Sequence, residues 1–205
     1  MSAAGSSQGA KVPSGGSEPH IVGERGGGMT DTTVWRRIWH LGDDVDTDAL
    51  APGAYMQLGV DGIAPHCLEL LEPAFAPGVR AGDVIVAGPN FGIGSSREQA
   101  AAVLVHLGVV AVIAPSFGGL FFRNAFNLGL LLLTCPAAEA LQGQTELALE
   151  RTPLRLRRRD GAAVACEPVP DFLLAMVQAG GLMPLLRQRR ATPHTSISES
   201  FKEQP

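Results

Sequence analysis

Cysteine is scarce and scattered in this chain. Cys67, Cys135 and Cys166 are its three, and no two form a CxxC pair. An odd, dispersed set reads as reduced thiols in a cytoplasm, not as a disulfide framework. It also makes the chain a poor holder for an iron–sulfur cluster, which takes several thiolates. A basic excess is missing too: 16 Lys and Arg stand against 20 Asp and Glu, a net charge of −4. That balance excludes a general nucleic-acid binder, which neutralises phosphates with a basic surface. No apolar run has membrane length; "VIVAGPNFGIG" and "LGLLLLTCP" are short and broken by Gly or Pro. The opening residues lack the apolar core of a signal peptide. These absences point to a cytoplasmic protein with no membrane partner.

What remains is ample for a core. Of 205 residues, 45% are hydrophobic but only 5% aromatic, so Val, Leu, Ile and Ala must supply most of it. Residues 1–33 are small, polar and Gly/Ser-rich, and read as a disordered extension that cannot bury enough surface to fold. Residues 34–187 read as one domain, and 188–205 as a disordered tail. Strands are expected at Val34–Leu41, Val84–Ala87, Val109–Ala114 and Gly129–Leu133. Helices are expected at Pro65–Leu71, Ser96–Leu107 and Gly119–Leu128, and a loop at "APGAYMQLGVDG". That alternation predicts an α/β fold with parallel strands and helical crossovers. A short helix after Pro136 precedes "TELALE", "LRLRRR" and "AVACEP", which suggest antiparallel hairpins, a β-rich flank. Asp171–Ala179 closes the domain as a helix.

The chemistry concentrates in "FGIGSSRE", Phe91–Glu98, between a buried strand and a helix. A Walker loop needs Gly-Lys-Ser/Thr, and no lysine is here. The dinucleotide fingerprint fails at its third glycine, which Arg97 replaces. Ser95-x-x-Glu98 matches a capping box, which explains a serine there without any chemistry. A helix start also stabilises negative charge, and Arg97 adds a fork suited to a carboxylate. A serine with a favoured alkoxide beside an anion site could remove a proton next to a carboxylate. Neither a histidine neighbour nor a GxSxG elbow is present, so a hydrolase is not indicated.

"GDDVDTDAL-APGAYM", "AGDVIVAGPNFGIGSSREQAA", "AVIAPSFGGLFFRNAFNLGLLLL" and "FLLAMVQAGGL" together resemble the small subunits of 3-isopropylmalate dehydratases. These are the aconitase family's swivelling domain made as a separate chain. The likeness covers Val34 to Arg187. It implies a single swivelling β/β/α domain with a mixed sheet, as in the aconitase C-terminal domain. It implies a hydro-lyase of leucine biosynthesis, active only with a large subunit that holds a [4Fe–4S] cluster, as a heterodimer or heterotetramer. This chain itself is then expected to bind no cofactor and no metal. Ser95 corresponds to the family's proton-abstracting base and Asp48 to an active-site aspartate, both catalytic. Ser96 and Arg97 match positions that hold a substrate carboxylate, with Thr47 completing the DTD turn. Gln57 and Met56 lie in the loop that selects the substrate. Members acting on tricarboxylic homologues carry an arginine in that loop, where Gln57 appears here. A neutral loop cannot pair a third carboxylate, and an unpaired buried charge is costly. The expected substrate is therefore a malate-type dicarboxylic acid with an apolar or small side group.

Departures from the family pattern are Asp43-Asp44 for a common "DN", Ile93 for a frequent cysteine, Gln99 for a histidine, and Gly118-Gly119. They keep open a citramalate, dimethylmalate or homoaconitate type of substrate, a non-catalytic assembly subunit, or a small-anion binding module. Asp43, Asp44, Asp46 and Asp48 space faintly like a calcium loop but lack its central glycine and late glutamate. His106 reads as a packing or interface residue. The Arg155–Arg159 run reads as a half-buried strand with a solvated face.

Overall fold

Seven strands form one sheet in the order β4-β3-β2-β1-β5-β6-β7 in the computed structural model, which describes residues 33–151 and 154–191. In chain order these are β1 (Trp35–His40), β2 (Val84–Val86), β3 (Ala111–Ala114) and β4 (Leu131–Thr134), then β5 (Glu146–Arg151), β6 (Leu154–Arg157) and β7 (Ala163–Val164). The first four pair in parallel, with Ile38 opposite Val84, Val84 opposite Ala111, and Ala111 opposite Leu131. β5 runs antiparallel to β1 and leads the hairpin flank. β2 and β3 are buried at every residue, as expected for unbroken apolar runs covered on both faces. The mixed α/β sheet with helices and a β-rich flank is the architecture that the alternation of apolar runs predicts.

Helices fill the connections. α1 (Thr47–Leu50), α2 (Gly59–Ile63) and α3 (Phe75–Gly78) lie between β1 and β2, with 3-10 turns at Gly53–Leu58 and Ala64–His66. α4 (Glu98–His106) and α5 (Gly119–Asn127) make the next two crossovers, and α6 (Asp171–Ala179) and α7 (Leu182–Ala191) end the described chain. α4 buries Ala100, Ala101, Val103 and Leu104, an apolar stripe at helical spacing. Gly108, at φ +83°, follows it in the left-handed region that a β-carbon disfavours. Few as the aromatics are, Phe75, Phe91, Phe121 and Phe126 are all fully buried. Burial of each such ring stabilises the fold by roughly 1.5–3 kcal/mol.

Asp83 ties the start of β2 to β1. Its carboxylate accepts from Arg37 Nε at 3.1 Å, Trp39 Nε1 at 2.9 Å and the Arg80 backbone N–H at 2.9 Å. Burial alone would raise its pKa, but those donors and the Arg37 charge outweigh it and hold the carboxyl below its ordinary value.

Several expectations need correction. The "APGAYMQLGVDG" segment is helical, not loop, because its glycines and Pro52 shape a 3-10 turn that runs into α2. The helix expected over Pro65–Leu71 shrinks to the Ala64–His66 turn, after which Leu68 takes φ +60°. Cys135 and Cys166 are joined in a disulfide, with Cα atoms 4.1 Å apart. The end of β4 meets the segment after β7, where Glu167 N–H donates to the Thr134 carbonyl at 2.7 Å. Sequence distance hid that proximity. Cys67 alone stays free and buried, its thiol pushed up to about 12 by burial. α7 carries the fold past residue 187 to Ala191. Of the two readings of His106, core packing fails: its side chain is 44% exposed, 3.4 Å from Asp61 of α2.

The arginine-rich strand behaves as its alternation suggests. Leu156 faces the core, while Arg157 pairs with Glu150 at 2.6 Å and Arg159 pairs with Glu146. Among the described residues no helix is long and apolar enough to cross a membrane. The proposed extension 1–33 and tail 188–205 fall almost wholly outside the described residues.

Candidate active site

The site is made by two turns that leave neighbouring parallel strands at the same end. After β1 the chain passes through Asp46, whose carboxylate accepts from Ala49 N–H at 2.7 Å and so caps α1. After β2 it passes through Phe91–Arg97. The turns are joined by backbone: Gly92 N–H donates to Val45 O at 2.6 Å and Thr47 N–H to Ile93 O at 2.8 Å. Asp46 and Ile93 form a parallel bridge. Gly94 sits at φ +107°, and a β-carbon there would lie 3.0 Å from Thr47 Oγ1. Glycine at this position lets the serine turn close onto Thr47.

Ser95 and Ser96 are exposed. Ser95 donates its backbone N–H to Thr47 Oγ1 at 3.1 Å, and the two hydroxyl oxygens are 3.3 Å apart. Arg97 forms an ion pair with Asp48 through Nη1, and the same atom donates to the Ala51 carbonyl at 3.1 Å. Its side chain is only 24% exposed, against 63% for Asp48, so the cation is held at the protein's edge with its partner outermost. A groove of about 350 Å³ opens beside it, lined by Asp46, Asp48, Ala49, Pro52, Gly53, Glu69, Leu70 and Leu71.

The capping-box expectation fails. α4 begins at Glu98 with Arg97 as its N-cap, and no side chain caps it. Ser95 lies two residues before the cap, its carbonyl accepting from Arg97 N–H at 2.8 Å. The Ser95 side chain is thus not the cap of α4, and its hydroxyl lies against Thr47 instead.

Asp48, Thr47, Ser95 and Arg97 come together as the sequence suggests. Ser96 is beside them without a side-chain hydrogen bond among the described residues. Met56 and Gln57 ride on the Gly53–Leu58 turn, three and four residues beyond Gly53, and do not line the groove. Gln57 is exposed and Met56 half-buried. Tyr55 of that turn stacks on His66, ring centroids 3.5 Å apart, which anchors it. Three of the four aspartates have separate partners: Asp44 accepts from Asn90, Asp46 caps α1, and Asp48 pairs with Arg97. Among the described residues no three His, Cys, Asp or Glu side chains gather as a metal site. Sequence reasoning did not find the Ala51 carbonyl as a ligand of Arg97, nor the Thr47–Ser95 contact. A threonine ahead of an aspartate carries no sign of its partner 48 residues away.

Residues 79–138 match the family model of the aconitase C-terminal domain. A 3-isopropylmalate dehydratase small subunit from Methanopyrus kandleri is 41% identical over 155 residues, 74% of this chain and 91% of the relative. A methanogen homoaconitase small subunit from Methanothermobacter thermautotrophicus is 43% identical over 149 residues, 72% of this chain and 86% of the relative. The crystal structure of a 3-isopropylmalate dehydratase from Methanocaldococcus jannaschii superposes with a TM-score of 0.70 at 36% identity, covering 77% of this chain and 95% of that one. Two joined turns, an exposed serine and a tethered arginine are thus set on a fold shared with these relatives over nearly their whole length. The chain belongs to the family of 3-isopropylmalate dehydratase small subunits, built around the aconitase C-terminal domain.

Proposed function

We propose that this chain is the small subunit of a hydro-lyase that isomerises a 2-alkylmalate-type diacid by dehydration and rehydration, the 3-isopropylmalate step of leucine biosynthesis in the cytoplasm. The observation that carries the reading is the placement of exposed Ser95 on the same short turn as Arg97, whose partner Asp48 lines an open groove. In this reading Ser95 Oγ acts as an alkoxide and takes the proton from the carbon next to a carboxylate. The electron pair left behind forms the C=C bond as hydroxide leaves the neighbouring carbon. Re-addition of water with the opposite placement completes the isomerisation. Ser96 and the Arg97 fork hold a substrate carboxylate, where bidentate pairing fixes orientation. Asp48 holds the guanidinium until substrate arrives.

A [4Fe–4S] cluster does not fit the side chains of this subunit. The Cys67 thiol is buried and hard to ionise, and Cys135 and Cys166 are bonded to each other. We therefore place the cluster in a large partner subunit, where it supplies Lewis-acid chemistry at the departing hydroxyl. Leu70 is 90% exposed and Leu71 55%, both on the groove wall, and this apolar rim suits burial against such a partner.

The homoaconitase relative motivates a second reading, a substrate with an additional carboxylate. Gln57, Met56 and Leu58 present no charge to receive it. Reconstitution with a cluster-bearing large subunit, followed by relative rates on isopropylmalate, citramalate-type and homocitrate-type acids, separates the two. Preference for isopropylmalate supports the first reading; preference for the homocitrate-type acid replaces it.

A further inference from the structure

We infer that Thr47 is a positioning residue for Ser95, orienting the serine and stabilising its ionised oxygen without touching substrate; this rests on the proton abstraction proposed above. Thr47 is 1% exposed and is, with Asp83, one of the few polar side chains in the core. Its hydroxyl therefore reaches Ser95 and not the groove. That reassigns it from the substrate contact its turn suggests.

The hydrogen bonding is directional. A hydroxyl has one proton and two lone pairs. One lone pair of Thr47 Oγ1 accepts the Ser95 backbone N–H at 3.1 Å. Its proton is then available to Ser95 Oγ, 3.3 Å away. A hydrogen bond offered to an oxygen that becomes anionic favours the anion. Because Thr47 is buried, water does not compete for that hydroxyl, and a bond in such a setting is electrostatically stronger. The backbone holding Thr47 is fixed on both sides: Thr47 N–H binds Ile93 O at 2.8 Å, and the Asp46 cap sets the turn into α1. Arg97, the nearby cation, is directed to Asp48 and Ala51 O instead. Thr47 thus holds both the backbone and the side-chain oxygen of the serine.

The test uses the chain reconstituted with its large subunit and compares wild type, T47S, T47V, S95A and the T47V/S95A double variant. Thr47→Val keeps the shape and removes the hydroxyl. It is expected to lower kcat about 10- to 100-fold, the scale of a misplaced reacting group, with KM changed less than about twofold. Thr47→Ser restores the hydroxyl and should recover at least half of kcat. T47V should cost nothing further on top of S95A. If T47V does not associate with the partner, T47C, which fills the space but offers only a weak S–H donor, is read in the same way. A rise in KM at unchanged kcat means that Thr47 touches substrate and overturns the inference. So does wild-type kcat in T47V, or failure of T47S to recover, while S95A is inactive. Full activity of S95A would instead remove the underlying reading of the reaction.

Discussion

Arg97 pairs with Asp48 across 49 positions of sequence, and the same guanidinium nitrogen holds the Ala51 carbonyl. The cation is aimed before any substrate binds. Lysine keeps the charge but lacks the planar fork that pairs a carboxylate through two parallel bonds. R97K should raise KM for the diacid about 10- to 100-fold, the loss of a charge-assisted bidentate pair, with a smaller effect on kcat. Substrate titration of the reconstituted enzyme checks this, and an unchanged KM would remove Arg97 from carboxylate binding.

Gly94 is where the serine turn meets Thr47. At φ +107°, with a β-carbon landing 3.0 Å from Thr47 Oγ1, alanine is strained in both backbone and contact. G94A should cost roughly 1–3 kcal/mol of stability and displace Ser95. A thermal melt should shift downward, and kcat should fall more than the melt alone explains.

The parts of this molecule that were legible in its sequence are those where local pattern and burial agree. Val84–Val86, Ala111–Ala114 and Glu98–His106 announce themselves by uninterrupted or helically spaced apolar residues, and the sheet forms where they predict. Ser95, Arg97 and Asp48 were legible through motif resemblance, and the fold brings them together. Three things were not. The Cys135–Cys166 pair depends on two segments meeting 31 residues apart, which spacing does not reveal. The capping box matched a local pattern, but the chain turns at Gly94 and delays the helix by two residues beyond Ser95. α7 was missed because Gly180-Gly181 reads as a stop; Gly180 does end α6, in the left-handed region, yet a new helix starts at Leu182.

Asp83 gives a pH signature for the fold. Its folded pKa is depressed, so its contribution is complete above the unfolded value of about 3.9 and is lost as pH falls through the folded-state pKa. Chemical denaturation between pH 6 and pH 2 should show that loss, and D83N should flatten it. At neutral pH D83N should destabilise by roughly 1–2 kcal/mol, because the amide oxygen can still accept from Trp39 Nε1 and the Arg80 N–H but those bonds and the Arg37 pair lose the carboxylate charge.

The disulfide sets a second stability test. Closing a loop with a separation of 31 residues stabilises by about 3–4 kcal/mol. C166S, or a dithiol reductant, should lower stability by that amount, measured by denaturant midpoint. Thiol titration of the native oxidised chain should find no fast-reacting group, since the Cys67 thiol is buried and raised to about 12. A chain trapped by alkylation in intact cells and carrying three alkylated cysteines would show the bond to be absent there.

Wash-in of deuterium from heavy water, at the substrate carbon next to the carboxylate, reads proton abstraction by Ser95 most directly. Mass spectrometry of the diacid pool with the reconstituted wild-type enzyme should show incorporation. S95A should lower both exchange and hydration by about 10²- to 10⁴-fold, the range for a lost general base, while its fold and partner binding persist because Ser95 is exposed. Exchange at the wild-type rate in S95A would contradict the account.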